Sequence, residues 1–123
     1  MLTSNKLVAF AATRDPKRAK AFYRDTLGLR LVSEDPFALV FDVNGIMLRV
    51  TSVGEFTPQP FTVLGWETPD IAADIKKLVK AGVVFERYKG MKQDTLGVWI
   101  APRGGKIAWF KDPDGNTLSL TEF

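Results

Sequence analysis

Residues 7–29, LVAFAATRDPKRAKAFYRDTLGL, carry a short apolar strand, a helix start and a helix stop in one run, and residues 62–82, TVLGWETPDIAADIKKLVKAG, repeat that order. In the first run Asp15 can cap a helix and Pro16 can occupy its first turn, while Ala19, Phe22, Tyr23, Thr26 and Leu27 mark one helical face before Gly28. In the second, Thr68 and Pro69 supply the start, Ile71, Ile75, Leu78 and Val79 the stripe, and Gly82 the stop. Strands follow each helix: LRLVSE, ALVFDV and IMLRVTS in the first copy, then VVFERY, VWIAP, KIAWFKD and TLSLTEF in the second. The pattern predicts an α+β chain built as βαβββ twice, with one extra strand-like piece in the second copy. Each copy is too small to bury both faces of its own sheet, so the two are expected to fold against each other around a shared concavity.

The boundaries follow from local composition. Module one covers residues 1–53, the linker GEFTPQP residues 54–60, and module two residues 61–123, all within one expected globular domain. No apolar run approaches the roughly 18 residues needed to cross a bilayer, and the start of the chain lacks a basic segment followed by a long apolar one. Together with the absence of cysteine, that leads us to expect a soluble cytoplasmic protein without disulfides, thiol nucleophiles or zinc–thiolate sites. The formal charge is only +3, and the densest basic set, Lys17, Arg18, Lys20 and Arg24, flanks the apolar stripe of the first helix as a solvated face would. No basic run with interleaved aromatics occurs, so neither a nucleic acid nor a membrane is an expected partner.

Two further strings, AFYRDTLGL at 21–29 and DPDGN at 112–116, complete the pattern. Singly they are helix core and turn chemistry. In that order, on a doubled βαβββ frame, they make the chain resemble the vicinal oxygen chelate superfamily, which includes glyoxalase I, bleomycin-resistance proteins and extradiol dioxygenases. The resemblance implies an eight-stranded, partly open U-shaped barrel with helices outside and a ligand cup inside. Metal-using members place His, Glu or Gln ligands on cup-facing strand positions that correspond here to Val8, Arg49, Val63 and Ser119. None of these is a usual metal ligand, and the chain has no His, so no metal and no cofactor are expected.

Strand alternation extends the register to a ligand-binding list: Val8, Phe10, Met47, Arg49, Val63, Glu67, Trp109 and Ser119 should point inward, with Gly65, Ile107 and the neighbouring threonines beside them. By the same parity Trp66 faces the helices. Trp99 is either a lid or an edge residue, and the segment 88–105 is the candidate for closing over the cup. Arg49 either pairs with Glu67 or awaits an anionic group. Without His or Cys, catalysis would rest on Glu67 as a buried general base, with Tyr23, Tyr88 and Asp94 as the other titratable candidates. Nucleophile elbows and phosphate loops are absent. The sequence therefore favours a metal-free protein that binds an apolar small molecule with one anionic group. The alternative is a glyoxalase-like lyase, isomerase or dioxygenase. Open sheet edges point to a homodimer.

Overall fold

The computed structural model describes residues 1–123. Two compact units divide the chain between Thr57 and Pro58, and each contains a four-stranded mixed sheet of its own. The class is α+β and the order is βαβββ twice, as the doubled signals predict. No ladder joins the two sheets.

In the first unit β1 (Val8–Thr13) leads into α1 (Pro16–Lys20), and β2 (Arg30–Glu34), β3 (Ala38–Val43) and β4 (Ile46–Ser52) complete the sheet. Its strand order is β1-β4-β3-β2, with β1 parallel to β4 and the rest antiparallel. The buried Thr13 ends the strand, its Oγ1 accepting from the Asp15 amide at 3.0 Å; the Asp15 carboxylate then accepts from the Arg18 amide at 3.2 Å. That is a helix N-cap, with Pro16 at the first position where its missing N–H costs nothing. The helix then widens. Residues Ala21–Thr26 form a π-helical turn, and the Leu27 amide donates to the Phe22 carbonyl five residues back. The even stripe expected over 19–27 is corrected by this wider turn: Tyr23 is fully buried, while Phe22, Thr26 and Leu27 are only half-buried. Tyr23 is therefore core, edge-on to Phe22 and 5.9 Å from Phe41 between ring centroids. Asn44 and Gly45, both at positive φ, make the tight turn between β3 and β4 that suits the twist of paired strands. In β2 one extra residue, Val32, breaks the register against β3.

The second unit runs β5 (Thr62–Glu67), α2 (Ile71–Lys80), β6 (Trp99–Ile100), β7 (Lys106–Lys111) and β8 (Thr117–Glu122), in the order β5-β8-β7-β6. Here the start signal differs from the sequence reading. Asp70, not Thr68, caps α2 by accepting from the Ala73 amide, and Pro69 lies before the cap. Thr68 repeats the role of Thr13, accepting from the Asp70 amide at 3.1 Å, and its hydroxyl donates to Asp74. Glu122 of β8 adds a carboxylate at the same helix end, 3.0 Å from the Ile71 amide, where it meets the positive end of the dipole. Ile71 and Ile75 are fully buried, each contributing about 1.5–3 kcal/mol.

The expected strand VVFERY is not one. It makes a single bridge, Phe85 to Phe110, and VWIAP shrinks to the two residues of β6. The reason is local: the Gln93 side chain accepts from the Tyr88 amide and donates to the Glu86 and Gly97 carbonyls. Residues 84–98 are thereby folded into a stapled loop instead of a ladder. The basic set on α1 is not a bare patch, since Lys20 pairs with Glu34 at 2.7 Å and Arg24 with Asp25 at 2.8 Å. The linker is divided as well. Phe56 lies under Arg14, within the first unit, whereas Pro58 packs beside Gly115 in the second. No helix is long and apolar enough to cross a membrane.

The DPDGN turn between β7 and β8 is organised by buried Asp112, whose carboxylate accepts from the Asp114 amide (3.0 Å), the Asn116 amide (2.9 Å) and Asn116 Nδ2 (2.8 Å). Replacing Asp112 by Ala strands three buried donors. Denaturant unfolding should show a loss of about 3 kcal/mol or more, and a loss under about 1 kcal/mol would mean that the carboxylate does not hold the turn.

Candidate functional site

Which face of each sheet is open follows from register. In the first unit Phe41 touches Tyr23 of the helix, and Phe41 and Leu39 pair with Leu48 and Val50 of β4, so these apolar residues form the helix-covered face. Their neighbours in sequence occupy the other. There Val8 stands beside Met47 and Asp42, Phe10 beside Arg49 and Val40, and Ala12 beside Thr51 and Ala38. Val8, Phe10, Met47 and Arg49, all named from sequence, thus lie on one face. Phe10 is 60% exposed, unusual for a strand aromatic, with Met47 at 43% and Val8 at 38%. Arg49 stands half-buried at the middle of this apolar row. Its charge reaches Asp35. Two amides, Phe37 and Ala38, donate to Asp35 and hold its carboxyl below the usual range, and Arg49 adds to that effect.

In the second unit the helix-covered face holds Leu64, Leu118 and Phe110 in one row and Trp66, Leu120 and Ala108 in the next. Trp66 therefore faces α2, as its parity predicts. The opposite face aligns Gly65, Ser119 and Trp109, then Glu67, Thr121 and Ile107, with Trp99 beside Ile107. Val63 does not continue this alternation. It is the extra residue of a bulge, so Thr62 stands opposite Thr117 in its place.

Three rings dominate this face. Trp109 is 5.5 Å from Tyr88, edge to face, and 6.2 Å from Trp99 between centroids. Trp99 is an edge-strand residue. Tyr88 was hidden from sequence reasoning as an aromatic wall because its segment read as a strand. The signal that finds it is Gln93, an amide able to satisfy three backbone groups in a Gly-flanked loop. Burial, then the charge of Glu86, pushes the Tyr88 phenol above its ordinary value. Ser119, paired with Trp109, is buried, and its hydroxyl already fills the place beside residue 65: a Cβ there would lie 2.8 Å from Ser119 Oγ, so the position takes Gly.

Chemically, the two faces supply rings, aliphatic groups, one guanidinium and one buried hydroxyl. Glu67, expected from sequence as a buried base, is exposed. Asp94, another titratable candidate, spends its carboxylate on the Leu96 and Val98 amides at 2.9 Å each. Of the positions the resemblance points to, Val8, Arg49 and Ser119 stay on these faces and Thr62 takes the place of Val63, and no three carboxylates cluster anywhere. That donor set does not fit a divalent transition ion.

Two consequences are measurable. Followed by NMR, the Asp35 carboxyl should titrate below an ordinary aspartate, and Arg49→Ala should raise its pKa only part of the way, because both amide bonds remain. With a depressed native pKa, the stability from Asp35 is present above its unfolded value near about 4 and is lost as pH falls through the native one. Separately, Gly65→Ala should cost about 1–3 kcal/mol by overpacking, and Ser119→Ala in the same chain should restore most of it. Equal costs with and without the serine hydroxyl would show that it is not the obstacle.

Comparison with known proteins agrees with this architecture. The profile of the Glyoxalase/Bleomycin resistance protein/Dioxygenase superfamily matches residues 6–120. A solved member of that superfamily from Sphaerobacter thermophilus DSM 20745 is 25% identical with a TM-score of 0.77, covering 100% of both chains. TnmS3, an antibiotic binding protein from Streptomyces sp. CB03234, is 26% identical with a TM-score of 0.72, covering 99% of this chain and 98% of its own. A lactoylglutathione lyase from Agrobacterium tumefaciens, at 19% identity and a TM-score of 0.73 over 97% and 93% of the chains, shares the fold. Among curated protein sequences none matches. With the profile spanning nearly its whole length over a doubled βαβββ frame, the chain belongs to the Glyoxalase/Bleomycin resistance protein/Dioxygenase superfamily.

Proposed function

We propose that this protein binds an apolar, ring-bearing small molecule without a metal, and that the open face of the second sheet is where the ring stacks. The observation that carries the reading is the wall of Tyr88, Trp109 and Trp99. Aromatic contacts of this kind contribute about 0.5–1.5 kcal/mol each beyond the area they bury. Ser119, paired with Trp109, supplies a hydroxyl beside the rings. In the first unit the exposed row of Val8, Phe10 and Met47 around Arg49 suits an apolar group that carries a negative charge. The similarity to an antibiotic binding protein supports sequestration over turnover. So does the exposed state of Glu67, which leaves proton abstraction without a suitable base.

Naphthoate and its neutral amide are suitable probes. Both should quench tryptophan emission saturably, and Trp109→Ala should weaken binding about fivefold to tenfold. Quenching that never saturates, or survives Trp109→Ala intact, defeats the proposal. A large rise in melting temperature with nickel, zinc or manganese, joined to turnover of the methylglyoxal–glutathione adduct, would establish the lyase alternative instead.

A further inference from the structure

On the helix side of the second sheet, away from the aromatic wall, lies a separate cleft of about 310 Å³. α2 forms one bank with Ile75 and Val79, and the stapled loop forms the other with Val83, Val84, Phe85 and Leu96. Val79 and Val84 are 52% and 77% exposed, a large apolar area for a short segment. The polar members of the lining are Thr95 and Arg87. Arg87 is fixed in place, because its two terminal nitrogens donate to the Asp94 and Thr95 carbonyls at 2.5 and 2.7 Å. Carbonyl dipoles orient the guanidinium without cancelling its charge, and it retains N–H groups for a further acceptor. Lys76 and Lys80 of α2 are exposed, and the Asp74 carboxylate of that helix accepts from the Thr68 hydroxyl. Asp94 is likewise turned to the Leu96 and Val98 amides.

We propose that this cleft binds a single-chain aliphatic carboxylate, its alkyl chain lying along Val79, Val84 and Leu96 and its head group on Arg87. An aliphatic cleft at the lower end of the size range for small-molecule sites accommodates a medium-length chain. The guanidinium of Arg87 selects an acid over an alcohol of equal length. The face differs from the one bearing Trp109, so this site stands independently of the ring-binding reading.

Decanoate and decanol, titrated into the full chain and followed by backbone amide NMR, test it. Decanoate should shift residues 83–87 and 95–96 saturably and bind about tenfold or more tightly than decanol. Arg87→Gln should reduce it to the level of decanol, Arg87→Lys should keep most of the preference, and Trp109→Ala should change nothing. Val79→Asp alters only an exposed helix position. It should abolish binding of both probes, which keeps the test sharp even if the Arg87 variants disturb the loop. Equal affinities for acid and alcohol, shifts confined to Trp99 and Trp109, or full binding by Val79→Asp would overturn the proposal.

Discussion

A sheet has two faces, and each module of this chain makes one helix to cover them. Everything else follows from that shortage. Alternation along a strand sends Leu39, Phe41, Leu48 and Val50 to the covered face and Phe10, Met47 and Arg49 to the other. In the second module the same rule sends Phe110, Leu118 and Leu120 under α2 and Trp109 and Ser119 away from it. The stability of each unit is invested on one side, where buried aliphatic and aromatic groups close around a helix. The other side is free to carry residues chosen for what they touch.

Keeping that partition depends on how the chain leaves each first strand. Thr13 and Thr68 do the same work: a buried hydroxyl accepts the amide two residues on and places an aspartate at the helix cap. The turn fixes where the helix starts and therefore which of its residues meet the sheet. Where the spacing could not be kept, the backbone absorbed the difference. The π turn after Lys20 swings Tyr23 fully into the core, and the bulge at Val63 removes one residue from the alternation of β5.

These adjustments also mark what could be read from residues alone. The doubled strand–helix order, the cap at Asp15 and the parity of Val8, Phe10, Met47, Arg49, Trp66 and Trp109 depend on short-range rules, and strand periodicity expresses them directly. The bulge at Val63 and the π turn do not, because each is decided by how a distant strand or core packs. The segment 83–88 misleads for a different reason. Its apolar and aromatic residues suit a strand, yet the Gln93 side chain takes the backbone partners that a ladder would have used. Tyr88 reaches Trp109 through that loop, so the aromatic wall was half visible in the sequence and half dependent on a side-chain amide outside the strands, bridged to Trp99.

The bulge at Val32 has its own consequence. β2 is the outermost strand of its sheet and would otherwise offer a row of free backbone groups to any extended chain. With an extra residue at Val32 and charged side chains at Arg30 and Glu34, that rim is uneven and polar. An incoming strand could not keep step with it for more than a few residues, which protects an otherwise apolar border against fibril growth at high concentration.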